Sequence, residues 1–154
     1  MNADLIAQAI APFSPETAAL RAGKMMLREI QAFADQCVTF AFETTLSGRG
    51  YIAWLSEMRT KGYKIHIFYL WVRSVNLAVS RVRERVSRGG HDIPEPVIRR
   101  RFDRSMQNFM AEYRRDLFNN SESTPSLVAL STGDRIRIVD KSLYTEIEKR
   151  HGVL

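Results

Sequence analysis

A carboxylate and three hydroxyl groups lie close together in the segment Glu43-Thr44-Thr45-Leu46-Ser47. This segment follows a short apolar run at residues 38–42 and precedes Gly48-Arg49-Gly50, a sequence typical of a turn. Glutamate accepts hydrogen bonds, whereas threonine and serine both donate and accept them, so the segment suits a polyhydroxylated or amide-bearing ligand. A turn that only links a strand to a helix is the alternative interpretation, and the pattern alone leaves both open.

Arginine is concentrated in residues 73–115, which contain eleven Arg, no Lys and five acidic residues. The segment therefore carries a net charge of +6, which equals the formal net charge of the whole chain. Because the planar guanidinium group binds two phosphate oxygens at once, this segment indicates a phosphate-bearing ligand. A solvated helix face is the alternative.

The arginines flank a glycine pair, Gly89-Gly90. Before the pair, Arg81, Arg85 and Arg88 recur at spacings of four and three on one predicted helix. After the pair, Arg99-Arg100-Arg101 begin the next predicted helix. Two arginine-bearing helices joined by a glycine loop favour a lid that closes over phosphates and neutralises the charge of a transition state.

Asp4 is a candidate general base. If a strand ended just before Met1, Asp4 would lie at the same edge of a sheet as the Glu43 turn, where a carboxylate takes a proton from a substrate hydroxyl. An acidic residue near the start of the chain carries no signal by itself. His91, in the arginine-flanked loop, would either contact a phosphate or have no role. The three histidines and the single cysteine lack metal-ligand spacing, so no metal site is predicted.

The elements that must position these residues alternate between helix and strand, which predicts the α/β class. Helices are predicted over residues 15–35, 51–61, 74–86 and 96–118, with a short helix at the C-terminus. Buried strands are predicted over residues 38–42, 64–71 and 126–130, and a further strand over residues 135–139. A strand–helix–strand unit over residues 38–71 implies a parallel sheet, in which ligands bind at the carboxyl ends of the strands. This rule places the Glu43 turn at a site.

The composition is that of a globular protein, with 45% hydrophobic and 26% charged residues in a chain of 154. This length predicts a single domain over residues 1–154 with one core. The lone Cys37 excludes a disulfide within one chain and fits a reducing compartment. The longest apolar run, residues 65–72, is too short to span a bilayer, and the first residues lack a signal-peptide pattern. We therefore expect a cytoplasmic protein with no membrane partner.

The order of these segments resembles the zeta toxin family of P-loop kinases, in its chromosomal variant. The two most specific matches are Phe42-Glu43-Thr44-Thr45-Leu46-Ser47-Gly48-Arg49 and Arg88-Gly89-Gly90-His91-Asp92-Ile93-Pro94. Shorter matches lie at residues 2–7, 19–24, 85–87, 98–102, 104–105 and 119–121. The resemblance covers residues 1–130, and residues 131–154 would add a C-terminal strand and helix. It implies a parallel-sheet, P-loop kinase-like fold.

The resemblance also implies an activity, which is ATP-dependent phosphorylation of a hydroxyl group on a small molecule. In the toxin branch of the family, the acceptor is a UDP-N-acetyl-sugar. Asp4 matches the catalytic base, and the arginines that hold the ATP phosphates are matched by Arg85, Arg88, Arg100 and Arg101. The substrate-binding turn is matched by Glu43, Thr44, Thr45, Ser47 and Arg49. ATP and Mg²⁺ are the cofactors that the family implies.

The phosphate-binding loop of the family, Gly-x4-Gly-Lys-Ser/Thr, has no match in this sequence. The only Gly-Lys pair, Gly23-Lys24, is followed by Met25, has Ala18 at the first glycine position and falls inside a predicted helix. The fold would therefore be incomplete at its N-terminus, where the central strand that carries the loop would lie. We expect an incomplete ATP site and a chain that is inactive as a kinase by itself. The alternative is a non-catalytic remnant of this fold that binds a substrate or a partner.

The partners expected from these features are a small-molecule phosphoryl acceptor and either an antitoxin or a second copy of the chain. The reason for the second partner is the strand predicted at residues 38–42, whose unpaired edges would invite pairing with another chain. Binding of nucleic acid ranks last, because no aromatic stacking surface accompanies the arginines.

Overall fold

The computed structural model describes residues 1–110, 116–132 and 135–151, apart from the side chains of Arg49 and Thr132. It is a mixed α/β structure, as the alternation of elements predicts. The helices are α1 (Ala3–Ile10), α2 (Pro15–Asp35), α3 (Arg49–Thr60), α4 (Val75–Ser87), α5 (Glu95–Asn108) and α6 (Lys141–His151). The strands are β1 (Phe68–Trp71), β2 (Asp116–Asn119), β3 (Ser126–Thr132) and β4 (Arg135–Ile138).

The chain divides into two compact units. The helical unit comprises Met1–Thr44 and Val82–Ile93, and the sheet unit comprises Thr45–Arg81 and Pro94–Leu154. The helical unit therefore contains α1, α2 and the C-terminal part of α4, whereas the sheet unit contains all four strands.

The helical unit is built on the pairing of α1 with α2. Small residues make the contact, because Ala7 of α1 packs against Ala18 and Ala22 of α2 in one buried cluster. Pro15 begins α2, as predicted, since proline is well suited to the first turn of a helix. Ser14 does not cap this helix with its side chain; instead the Thr17 hydroxyl donates to the Ser14 carbonyl at 2.8 Å.

The predicted strand at residues 38–42 is wrong. These residues form no strand, and Val38 is 41% exposed. Their backbone groups bond elsewhere, because the Val38 amide donates to the Phe33 carbonyl at the end of α2. The ring centroids of Phe33 and Phe40 lie 6.0 Å apart, and those of Phe40 and Phe42 lie 6.3 Å apart. The strand–helix–strand unit predicted over residues 38–71 is therefore absent from the described structure.

The sheet unit holds a four-stranded mixed sheet with the order β1-β2-β3-β4. β1 and β2 run parallel with Phe68 opposite Asp116, whereas β3 and β4 add antiparallel neighbours. The sheet is thus only partly parallel, which corrects the expectation of a parallel sheet. β1 is shorter than predicted, and it is not buried on both faces, since Phe68 is 67% exposed and Trp71 2%.

The helix predicted over residues 96–118 ends early. α5 ends at Asn108, and residues 116–119 form β2, in which Leu117 is fully buried between β1 and β3. The predicted apolar stripe includes Tyr113, which lies outside the described residues. Residues 109–110 continue from α5 as π-helix, and at residues 116–119 strand pairing overrode the predicted helix.

The core of the sheet unit packs α3, α5 and α6 against the sheet. Its fully buried members include Phe109 after α5, Leu117 of β2, Val128 of β3 and Ile147 of α6. The ring of Tyr69 in β1 stacks on Phe109 with centroids 4.5 Å apart. The predictions for α2, α3, α4, β3, β4 and a C-terminal helix are confirmed within a few residues. In the described part of the chain, no helix has the length and apolarity needed to cross a membrane.

Candidate functional site

Asn2 joins the start of the chain to the Glu43 segment within the helical unit. Its side-chain oxygen accepts hydrogen bonds from the amides of Asp4 at 2.8 Å and Leu5 at 3.3 Å, so Asn2 is the N-cap of α1. Its side-chain nitrogen donates to Oε2 of Glu43 at 2.7 Å. The Glu43 amide also donates to the Met1 carbonyl at 2.9 Å, so the two segments are fixed by backbone and side-chain bonds.

Asp4 lies in the first turn of α1, where the positive end of the helix dipole stabilises negative charge. Its Oδ2 atom is 3.9 Å from Nη1 of Arg85 in α4. The side chains of Asp4 and Arg85 are 54% and 45% exposed, so this ion pair adds little to stability and leaves both groups accessible to a ligand. Asp4 belongs to α1, and the strand expected before Met1 stays a prediction.

The loop after α4 closes against Arg85. The Gly90 amide donates to the Arg85 carbonyl at 2.9 Å, and the Arg85 guanidinium donates to the His91 carbonyl at 3.3 Å. A Cβ atom on Gly90 would lie 2.6 Å from Cγ of Arg85, which is closer than a Cβ atom comes to non-bonded atoms in proteins. Nδ1 of His91 is buried without a hydrogen-bond partner among the described residues.

Arg88, directly after α4, and Arg81, within α4, are already engaged. Arg88 forms an exposed ion pair with Glu84 at 2.5 Å in the helical unit. In the sheet unit, the Arg81 guanidinium donates to three consecutive carbonyls after β2, those of Asn120, Ser121 and Glu122. Arg81 is therefore a structural residue that caps a loop, rather than a free phosphate ligand.

The hydroxyl-bearing turn after Glu43 is held in the sheet unit. The hydroxyls of Thr45 and Ser47 are 2.9 Å apart and share one hydrogen bond. Leu46 between them is buried. Its φ of 55° lies in the left-handed region, which residues other than glycine rarely adopt. Two side chains of α5 reach this turn: Ser105 donates to the Thr45 carbonyl, and Asn108 donates to the Leu46 carbonyl at 2.8 Å.

The arginines at the start of α5 differ in their contacts. Arg99 forms an ion pair with Glu95 at 2.6 Å and also donates to Asn76. Arg100 and Arg101 are exposed. These residues and the Thr45–Ser47 turn belong to the sheet unit, whereas Asp4, Glu43, Arg85 and Arg88 belong to the helical unit.

Comparison with known proteins gives a distant relative. An uncharacterized protein of Haemophilus influenzae is 29% identical to this chain over 102 residues, which is 66% of this chain and 73% of that protein. No family model matches the chain, and no solved structure matches it.

The structure brings together three of the predicted site residues, Asp4, Glu43 and Arg85, in one unit. Thr44 is exposed in the same unit, and the side chain of Arg49 lies outside the described residues. The sequence alone gave no role to Asn2, whose side chain bonds to both the Asp4 amide and the Glu43 carboxylate. The signal was available in part, because asparagine directly before a helix with an acidic first turn is typical of an N-cap.

ATP and Mg²⁺ fit the described residues only in part. Arg85 offers a guanidinium group suited to a phosphate, but Gly23-Lys24 lies inside α2, where the backbone amides are used by the helix. Within the described ranges, no group of three or more His, Cys, Asp or Glu side chains is arranged to hold a metal ion.

Proposed function

We propose that this chain carries the acceptor-binding side of a small-molecule kinase of the zeta toxin type. The observation that carries this proposal is the meeting of Asp4, Glu43 and Arg85 in one unit, through the Asn2–Glu43 bond of 2.7 Å and the Asp4–Arg85 approach of 3.9 Å. These residues come from three separate segments of the sequence, and each carries one part of the resemblance. A chance similarity of short motifs would not require them to be neighbours.

The roles proposed for these residues follow from their chemistry. The exposed Asp4 carboxylate accepts a proton from the hydroxyl group of the acceptor. Glu43, held by Asn2, accepts hydrogen bonds from the hydroxyl or amide groups of that acceptor, for which a UDP-N-acetyl-sugar is the proposed class. The Arg85 guanidinium binds a phosphate group near the base and offsets negative charge there.

A P-loop kinase-like fold is part of the same proposal. The parallel pairing of β1 with β2 supports it, because parallel strands bring their carboxyl ends to one edge of a sheet. Bound ATP with Mg²⁺ would supply the phosphoryl group. The helical environment of Gly23-Lys24 favours acceptor binding without phosphoryl transfer by this chain alone, so a binding protein that retains the acceptor site is the second candidate function.

Calorimetric titration of the full chain with UDP-N-acetylglucosamine tests the proposal. We expect saturable binding that Glu43→Gln weakens roughly tenfold or more, because a hydrogen bond to a charged group contributes about 1.5–3 kcal/mol. Glu29→Gln, which makes the same change at an exposed position of α2, is the matched control and should bind normally. Absence of binding by the unaltered chain at millimolar ligand would overturn the proposed function.

A transfer assay with ATP and Mg²⁺ separates the two candidate functions. The chain alone is expected to transfer no phosphoryl group to an acceptor that it binds. Transfer that is abolished by Asp4→Asn would establish a complete kinase and contradict the binding-protein alternative.

A further inference from the structure

We propose that Ser105 and Asn108 of α5 are positioning residues that hold the turn at residues 45–47 in one conformation before any ligand arrives. Both side chains donate to carbonyls of this turn, Ser105 to Thr45 and Asn108 to Leu46, across 60 and 62 residues of sequence. Two consecutive backbone carbonyls are thus fixed to one helix. The inference is independent of the proposed function, because the turn, Ser105 and Asn108 all lie in the sheet unit.

The hydrogen bonds that reach the turn have a defined direction. A carbonyl oxygen only accepts, so the Ser105 hydroxyl must use its hydrogen to bond the Thr45 carbonyl. The Tyr69 hydroxyl, 2.8 Å from the Ser105 oxygen, must therefore donate to it. Burial raises the pKa of Tyr69 to about 12, which keeps its phenol protonated for this role. The chain of donors runs from β1, through α5, to the turn.

The turn needs this support because its middle residue is strained. Leu46 has a φ of 55°, a conformation that costs on the order of 1 kcal/mol or more for a residue with a side chain. Its side chain is also buried in the core of the sheet unit. The bonds from Ser105 and Asn108 and the burial of Leu46 together keep the conformation populated, and loss of the bonds lets the backbone relax.

The fixed turn also defines what it can bind. The Thr45 and Ser47 hydroxyls use one hydrogen in their mutual bond, so the pair offers one free O–H donor together with several lone pairs. A phosphate group requires several donors, whereas a hydroxyl or amide group both donates and accepts. The hydroxyl pair therefore suits a hydroxyl or amide group of a ligand better than a phosphate group.

Hydrogen exchange of the free protein tests the positioning role without any ligand. In Ser105→Ala and Asn108→Ala, we expect amides of residues 45–48 to exchange about tenfold faster, while amides of β3 keep their rates. Ser105→Thr retains a hydroxyl and should preserve slow exchange. Gln107→Ala, an exposed neighbour on α5, is the matched control and should change nothing in the turn. Unchanged exchange of the turn in both alanine variants would overturn the inference.

Two further variants keep the test valid if an alanine variant fails to fold. Asn108→Asp removes the amide donor at nearly constant volume, and Tyr69→Phe removes only the donor to Ser105. Each should speed exchange of the turn. If neither changes the turn while β3 remains protected, the inference fails.

Discussion

Nδ2 of Asn2 donates to Oε2 of Glu43 across 41 residues, while Oδ1 of the same side chain caps α1. One side chain thus fixes both the helix that carries Asp4 and the carboxylate proposed to bind the acceptor. The two roles use opposite ends of the amide group. Substitutions can therefore separate them.

Asn2→Ala should lower the free energy of unfolding by about 1 kcal/mol, because it removes the N-cap of α1. Asn2→Ser retains a good capping oxygen but loses the donor to Glu43. We therefore expect Asn2→Ser to be nearly as stable as the unaltered protein in urea denaturation while binding the acceptor more weakly. Equal loss of stability in both variants would mean that capping by Asn2 contributes nothing.

Gly90→Ala should destabilise the protein by roughly 1–3 kcal/mol, because the added Cβ overlaps Cγ and the carbonyl oxygen of Arg85. Gly23→Ala is the matched control. Its Cβ would meet nothing within 4 Å, and alanine is the better helix former, so Gly23→Ala should stabilise α2 by about 1 kcal/mol. Urea denaturation midpoints measure both changes, and a stable Gly90→Ala variant would contradict the close approach seen here.

Arg81→Ala should lower the free energy of unfolding by about 1–3 kcal/mol, because three carbonyls after β2 lose a charged donor. Arg100→Ala removes an exposed arginine from α5 and should change stability by less than about 0.5 kcal/mol. Thermal denaturation of the two variants distinguishes a structural arginine from a surface arginine. Similar midpoints would show that the Arg81 contacts do not stabilise the loop.

His151 should make stability depend on pH below neutrality. Burial lowers the pKa of this histidine, the Arg150 charge lowers it further, and Asp103 on α5 opposes the change. In the unfolded state the histidine pKa has its ordinary value of about 6.5. As pH falls, the unfolded state therefore binds more protons than the folded state. The destabilisation is absent well above the unfolded pKa, grows as pH falls from that pKa toward the lower folded pKa, and is constant below the folded pKa.

Urea denaturation at several pH values between about 5 and 7.5 measures this dependence. His151→Leu removes the titrating group and should flatten the loss of stability at low pH relative to the unaltered protein. His66→Asn, at an exposed position, is the control and should leave the dependence unchanged. Identical pH dependence in His151→Leu and the unaltered protein would contradict the prediction.

Local signals in the sequence predicted α2, α3, α4 and α6, whereas α1 was not predicted. Pro15 predicted the start of α2, and Ser74 predicted the start of α4. The Ser74 hydroxyl accepts a hydrogen bond from the Leu77 amide at 3.1 Å. The strands predicted over residues 126–130 and 135–139 correspond to β3 and β4. Such signals depend on neighbours within a few residues, so the sequence alone carries them.

Long-range pairing was not predictable in the same way. Residues 38–42 have the composition of a buried strand, yet they form no strand, and the Val38 amide donates to the Phe33 carbonyl at the end of α2. Residues 116–119 continue a helical spacing, yet they pair with β1 and β3. In both cases the available partners, rather than intrinsic preference, decide the structure.

The sequence by itself determined the residue types at the candidate site, namely a carboxylate at position 4, a carboxylate with hydroxyls at positions 43–47, and arginines around a glycine pair. Only the tertiary structure decided which of these residues are neighbours. It set Asp4 beside Arg85 and Asn2 against Glu43, and it used Arg81 to cap a loop. Residue chemistry is local, whereas proximity depends on how distant segments pack.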